Sequence, residues 1–137
     1  PDMTALSAPR LATEKAGDTS TAPVAADTKI WQGALVVMEG GVAMPGKTAL
    51  SLVVLGIAEE TVDNSGGIAG AKKVTARRRT IRLVNLASDA LTEADIGKDA
   101  FLVDDQTVAK TSATNTRSVA GKVIDVDAVG AWIRVGF

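Results

Sequence analysis

A chain of 137 residues suits one domain, or one domain plus an arm. Its formal net charge of −1 supplies no global drive toward nucleic acid or an anionic membrane, and without Cys there is neither a disulfide nor a thiolate metal site. His and Tyr are absent too, which removes the commonest general acid–base group and the usual nucleophilic triads, so enzyme chemistry would rest on Asp, Glu, Lys, Arg, Ser and Thr alone.

The apolar fraction of 46% is inflated by Ala. Large apolar side chains are few: Trp31, Trp132, Phe101, Phe137 and a set of Val, Leu and Ile. That predicts a thin, Val-rich core, which favours strands over a helical bundle and favours an oligomer or docking on a larger surface. No apolar run approaches the roughly 20 residues that span a bilayer. The first residues lack the charged-then-apolar pattern of a signal peptide.

In chain order, residues 1–28 are rich in Ala, Thr, Ser, Pro and Asp, with no large apolar residue beyond Leu11 apart from Val24. They show neither helical nor strand period. Two readings stand: an extended arm ordered against a partner or neighbouring subunit, or a disordered tail. The β domain is placed at 29–137. Ile30 to Glu39 reads as a strand, Gly40-Gly41 as a hairpin turn, and Val42-Ala43-Met44 as a return strand stopped by Pro45-Gly46. Leu50 to Ala58 is a strongly apolar strand, buried on both faces or bent at Gly56. Asp63-Asn64-Ser65-Gly66-Gly67 is the clearest turn signal. Lys73 to Asn85 alternates polar and apolar residues with a phase change near Arg79-Thr80, which predicts one long strand with a bulge. Thr92 to Asp95 reads as a helix start capped by Thr92 and ended at Gly97. The stretch from Asp95 to Val135 reads as three short strands between tight turns.

An internal echo joins the two halves. Val42-Ala43 aligns with Val108-Ala109, and Gly56-Ile57-Ala58 aligns with Gly121-Lys122-Val123. Two readings stand here as well: a degenerate duplication of a β unit over about 29–86 and 95–137, or two hairpins alike only in composition. Either supports an all-β fold, a small barrel or sandwich of short antiparallel strands with one short helical turn and an extended N-terminal arm.

Few residues suggest chemistry. Arg77, Arg79 and, past a bulge, Arg82 would share one strand face. They suit an acidic protein surface or a phosphate, or they are a solvated edge that blocks aggregation. No interleaved aromatic residues provide stacking for nucleic acid. Asp104-Asp105 with Asp125 and Asp127 lacks the Gly-centred loop of a calcium motif, and turn carboxylates bonding their own backbone account for them. Glu59-Glu60 with Asp63 has no aromatic sugar platform nearby. Gly66 to Gly70 lacks the Lys-Ser/Thr of a phosphate loop. Trp31 and Trp132 are expected as core or subunit-interface anchors. No cofactor and no metal are expected.

The order of pieces resembles a family of capsid cement, or head decoration, proteins of tailed bacteriophages and prophages. The matching residues are Ala25-Ala26-Asp27 leading to Ile30 and Gly33, Leu35-Val36-Val37, Val53 to Ala58, and Ala94 to Lys98 before Phe101-Leu102-Val103-Asp104-Asp105. Gly121 to Asp127 and the closing Ala131-Trp132-Ile133-Arg134-Val135 complete them. The resemblance covers about Val24 to Val135. It implies a β-rich virion protein without catalytic residues, made in the host cytoplasm and carried on the outer capsid surface. It also implies the major capsid protein as partner and a homotrimer as the favoured assembly. Leu6, Leu11, Trp31, Arg77, Arg79 and Arg82 are the expected capsid or subunit contacts. A host-surface or glycan-binding adhesin domain is the alternative.

Overall fold

The computed structural model describes residues 5–137, and it is an all-β protein. The strands are β1 (Thr19–Pro23), β2 (Thr28–Ile30), β3 (Leu35–Glu39), β4 (Val42–Pro45), β5 (Val53–Ala58), β6 (Val62–Asn64), β7 (Lys73–Arg77), β8 (Thr80–Asn85), β9 (Asp99–Leu102), β10 (Thr107–Ala109), β11 (Val119–Val126) and β12 (Ala131–Val135). Single 3₁₀ turns cover Ala87–Asp89 and Glu93–Asp95.

The strands form two five-stranded units. The first has the order β1-β7-β5-β3-β4, and the second closes as the barrel β10-β8-β12-β11-β9. In the first, a parallel bridge from Val24 to Ala43 draws the outer edges together, with the Ala25 N–H donating to the Ala43 carbonyl at 2.9 Å. β2 and β6 form a small hairpin-like flap beside it.

The two units repeat one topology and one register. The β3–β5 ladder pairs Val36 with Gly56 and Val37 with Val54, skipping Leu55; the β9–β11 ladder pairs Ala100 with Gly121 and Phe101 with Val119, skipping Ala120. The Gly33 N–H donates to Ala58 O and the Ala58 N–H to Ala34 O; likewise Gly97 donates to Val123 O and Val123 to Lys98 O. Gly33 and Gly97 both sit at φ 87°, a conformation an L side chain resists. The parallel bridge of Val24 with Ala43 recurs as the parallel pair Asn85 with Val108. On this register Ala43 answers to Val108, one residue away from the sequence alignment. Gly56-Ile57-Ala58 against Gly121-Lys122-Val123 coincides with it.

Several expected boundaries move. The repeats run over 19–77 and 80–135 rather than 29–86 and 95–137, and the arm is shorter than residues 1–28 because β1 pairs along its length with β7. β1 carries little sequence signal because Ala22 is its one buried residue and is small. The long strand from Lys73 to Asn85 is two strands in different units. Its phase change is the crossing from one unit to the other at Arg78-Arg79, not a bulge. Ile30 to Glu39 breaks at Trp31–Ala34, and the stretch from Asp95 holds four strands, since Phe101 to Ala109 folds back on itself. Two helical turns stand where one was expected, and β8 with β10 is a parallel pair among the antiparallel ones.

Two cores result. Ala22, Val24, Val36, Leu55, Val74 and Ala76 are among those filling the first unit; Leu83, Leu102, Val108, Val123 and Ile133 belong to the second. Leu35, Val37, Val54 and Ile57, on the other faces of β3 and β5, join the second core. β3 and β5 are therefore buried on both faces, which is why they read as near-continuous apolar runs. None of the four aromatic residues is in either core, so packing is aliphatic, at about 1.5–3 kcal/mol for each fully buried Val, Leu or Ile.

Candidate functional site

The crossing between the units builds a polar site around Arg78. Arg78 is half-buried there. Its guanidinium donates to the Leu55 carbonyl at 2.9 Å, to the Ser20 hydroxyl at 3.1 Å and to the Gly17 carbonyl, and it lies 4.2 Å from the centroid of the Phe137 ring. The Arg78 N–H also donates to Asp18 O at 2.7 Å. This side chain, absent from the expected contacts, ties the start of β1 to β5. A groove of about 520 Å³ opens beside it, lined by Arg78, Arg79, Lys122 and Arg134 together with Gly17, Asp18, Thr80, Val135, Gly136 and Phe137. The chain presents the groove because β12 pairs with both β8 and β11, placing Arg134 opposite Thr80 and Lys122.

The expected contact residues do not share one face. Arg77 lies on β7 with its Nε 3.9 Å from Glu59, while Arg82 lies on β8 with its guanidinium 5.6 Å from the Trp132 ring. Of the three, only Arg79 lines the groove. The single alternation read across both strands hid this, since a period of two cannot tell which sheet each half enters. Trp31 is 58% exposed, with the Lys29 ammonium 3.8 Å from its ring centroid, which removes the core half of the core-or-interface expectation for it. Leu6 and Leu11 are 71% and 91% exposed on a segment that forms no strand through residue 18.

The carboxylates serve turns. Asp127 accepts from the N–H groups of Val129 and Gly130 at 2.8 and 2.9 Å and from the Trp132 indole at 2.9 Å; these bonds, the indole's foremost, hold its carboxyl below the usual range. Asp104 accepts from Gln106, and burial, aided by the Asp104 charge, pushes the neighbouring Asp105 up. Asp95 caps the 3₁₀ turn reciprocally with Thr92, whose N–H donates to it at 2.8 Å, and that backbone bond leads in lowering its pKa. Asp89 accepts from Thr111 and from Arg117, and the Thr111 hydroxyl at 2.6 Å is the main cause of its lowered pKa. Among the described residues, no three carboxylates come together in a way that could hold a metal ion.

Comparison with protein-family models, with curated proteins and with solved structures found no match to this chain. The residues themselves therefore have to carry the functional reading: two fused β units, an exposed N-terminal segment bearing two leucines, and a cationic groove at the point where that segment leaves the body.

Proposed function

We propose that this chain is a virion structural protein that binds the outside of an assembled bacteriophage capsid and stabilises it by bridging major capsid protein subunits. It acts as a homotrimer, through buried surface rather than through turnover of a substrate. The observation that carries this reading is the N-terminal segment over 5–18. It forms no strand with either unit, and it exposes Leu6 and Leu11. Isolated exposed leucines on an extended segment gain little in water and much against an apolar seam on a neighbour. At its inner end, Arg78 fixes Gly17 to the body, so tension on the segment is passed to the β framework. The capsid as the assembly bound is what the sequence resemblance implies.

Many copies on a symmetric shell multiply modest contacts, because each segment engages a partner already held close by its neighbours. Arg77, Arg79 and Arg82, with Trp31, are the further contact candidates, now assigned to separate surfaces of the body. The test is co-sedimentation with phage heads lacking decoration, followed by heating of the decorated particles. Binding with a raised disruption temperature supports the proposal. A well-folded protein that leaves heads unbound and instead binds host cells or glycans overturns it in favour of the adhesin alternative.

A further inference from the structure

The groove at the crossing concentrates charge in a chain that is otherwise nearly neutral. Four cationic side chains, Arg78, Arg79, Lys122 and Arg134, line it against one side-chain carboxylate, Asp18. Two of the four are already engaged: Arg78 holds Gly17, Ser20 and Leu55, and Lys122 pairs with Asp99 at 2.6 Å. Arg79 and Arg134 are exposed and make no ion pair among the described residues.

The repeat shows how Arg134 comes to be free. In the first unit, Arg77 pairs with Ile57 across the ladder and lies near Glu59, the residue after Ala58. In the second, Arg134 pairs with Lys122 in the same place, and the residue after Val123 is Ile124, at a bulge. The same backbone that neutralises one arginine leaves its counterpart uncompensated beside three other cations. Like charges lining one groove repel, and an anion relieves the repulsion.

The groove also continues into an apolar cleft. Gly136 and Phe137 line both, and Val53, Val54 and Val119 extend the apolar side, with Val53 and Val119 about half exposed. We infer that the groove docks an extended acidic segment of a partner protein. Its carboxylates would pair with the Arg79 and Arg134 guanidiniums, and a neighbouring aliphatic side chain would lie over Phe137, Val53 and Val119. Guanidinium forks match carboxylates in geometry as well as in charge. Nucleic acid is a poorer match. Phe137 is the one aromatic lining the groove, and a single ring makes no platform for successive bases.

This inference rests on the capsid reading only for which protein supplies the segment. The test is fluorescence anisotropy at low ionic strength with the full chain and a fluorescein-labelled Glu-Leu peptide. A Lys-Leu peptide, an oligothymidylate and inorganic phosphate serve as competitors. The peptide should bind, added salt should weaken it, and the Arg79→Gln/Arg134→Gln double variant should lose about tenfold in affinity. Arg134→Lys should retain part of the binding, and Lys110→Gln should retain all of it. Unchanged urea midpoints would show that the variants remain folded. Equal affinity in the double variant, or displacement of the peptide by oligothymidylate or phosphate as readily as by unlabelled peptide, overturns the inference. Peptide binding by a protein that ignores phage heads removes the capsid reading and leaves the groove. Head binding untouched by the double variant removes the groove as the docking site and leaves the capsid reading.

Discussion

Gly56 is a position where a single methyl group should cost heavily, because positive φ and a backbone clash coincide there. It sits at φ 144°, in the region that favours glycine, and the β3–β5 ladder shifts register there. A Cβ on it would lie 2.6 Å from the Arg77 carbonyl carbon, 2.7 Å from its oxygen and 2.9 Å from the Arg78 nitrogen. All three are backbone atoms, so no side chain can swing aside. Holding an alanine in that conformation costs about 1–2 kcal/mol. Forcing β5 and β7 apart adds about 1–3 kcal/mol, as overpacking does elsewhere. Gly56→Ala should therefore cost about 2–5 kcal/mol, a large part of the roughly 5–15 kcal/mol that holds a domain together. Gly33→Ala is the matched control. Gly33 also needs positive φ, at 87°, but a Cβ there meets nothing within 4 Å, so the conformational cost of about 1–2 kcal/mol stands alone. Equilibrium urea unfolding of both variants, with m unchanged, measures the difference directly. If Gly56→Ala proved no more destabilising than Gly33→Ala, the close approach of β5 to β7 at the crossing would be wrong, and so would the placement of Arg78 that depends on it.

Other consequences are open to test. Ile57→Ala removes a fully buried side chain of β5 that belongs to the second core, so it should cost about 2–5 kcal/mol and lower one shared unfolding transition rather than split off the first unit; two separated calorimetric peaks would contradict the shared core. Arg78→Ala releases Gly17 and Ser20 and should speed hydrogen exchange at the β1 amides while β11 and β12 stay protected. Asp89, Asp95 and Asp127 have folded pKa values below their unfolded ones, so the stability they add is present above the unfolded value and is lost as pH falls through the folded values. The urea midpoint should drop as pH falls below about 4, and Asp89→Asn should flatten part of that drop. Asp105 works in the opposite sense, because burial raises its pKa; Asp105→Asn should raise the midpoint at neutral pH.

Local chemistry was legible in the chain wherever a residue type has few alternatives. Gly40-Gly41, both at positive φ, marks the β3–β4 turn, Thr92 with Asp95 marks a capped turn, and the Gly56 and Gly121 triplets mark equivalent points of a repeated ladder. The all-β class followed from Val-rich bursts between turn residues. What the chain could not disclose is partnership between strands far apart in sequence. Thr19 to Pro23 carries no strong apolar signal, and it becomes a strand because β7 offers an edge and Ala22 fits beneath it. The alternation through Arg77, Arg79 and Arg82 looks continuous because both β7 and β8 have one wet face. Only the tertiary structure sends the two halves into different units and leaves Arg78 and Arg79 at the junction, beside Lys122 and Arg134 from the far end of the chain. A period of two residues reports which side of a strand is dry. Which sheet supplies the dryness is decided by long-range pairing, and here that pairing also assembles the groove.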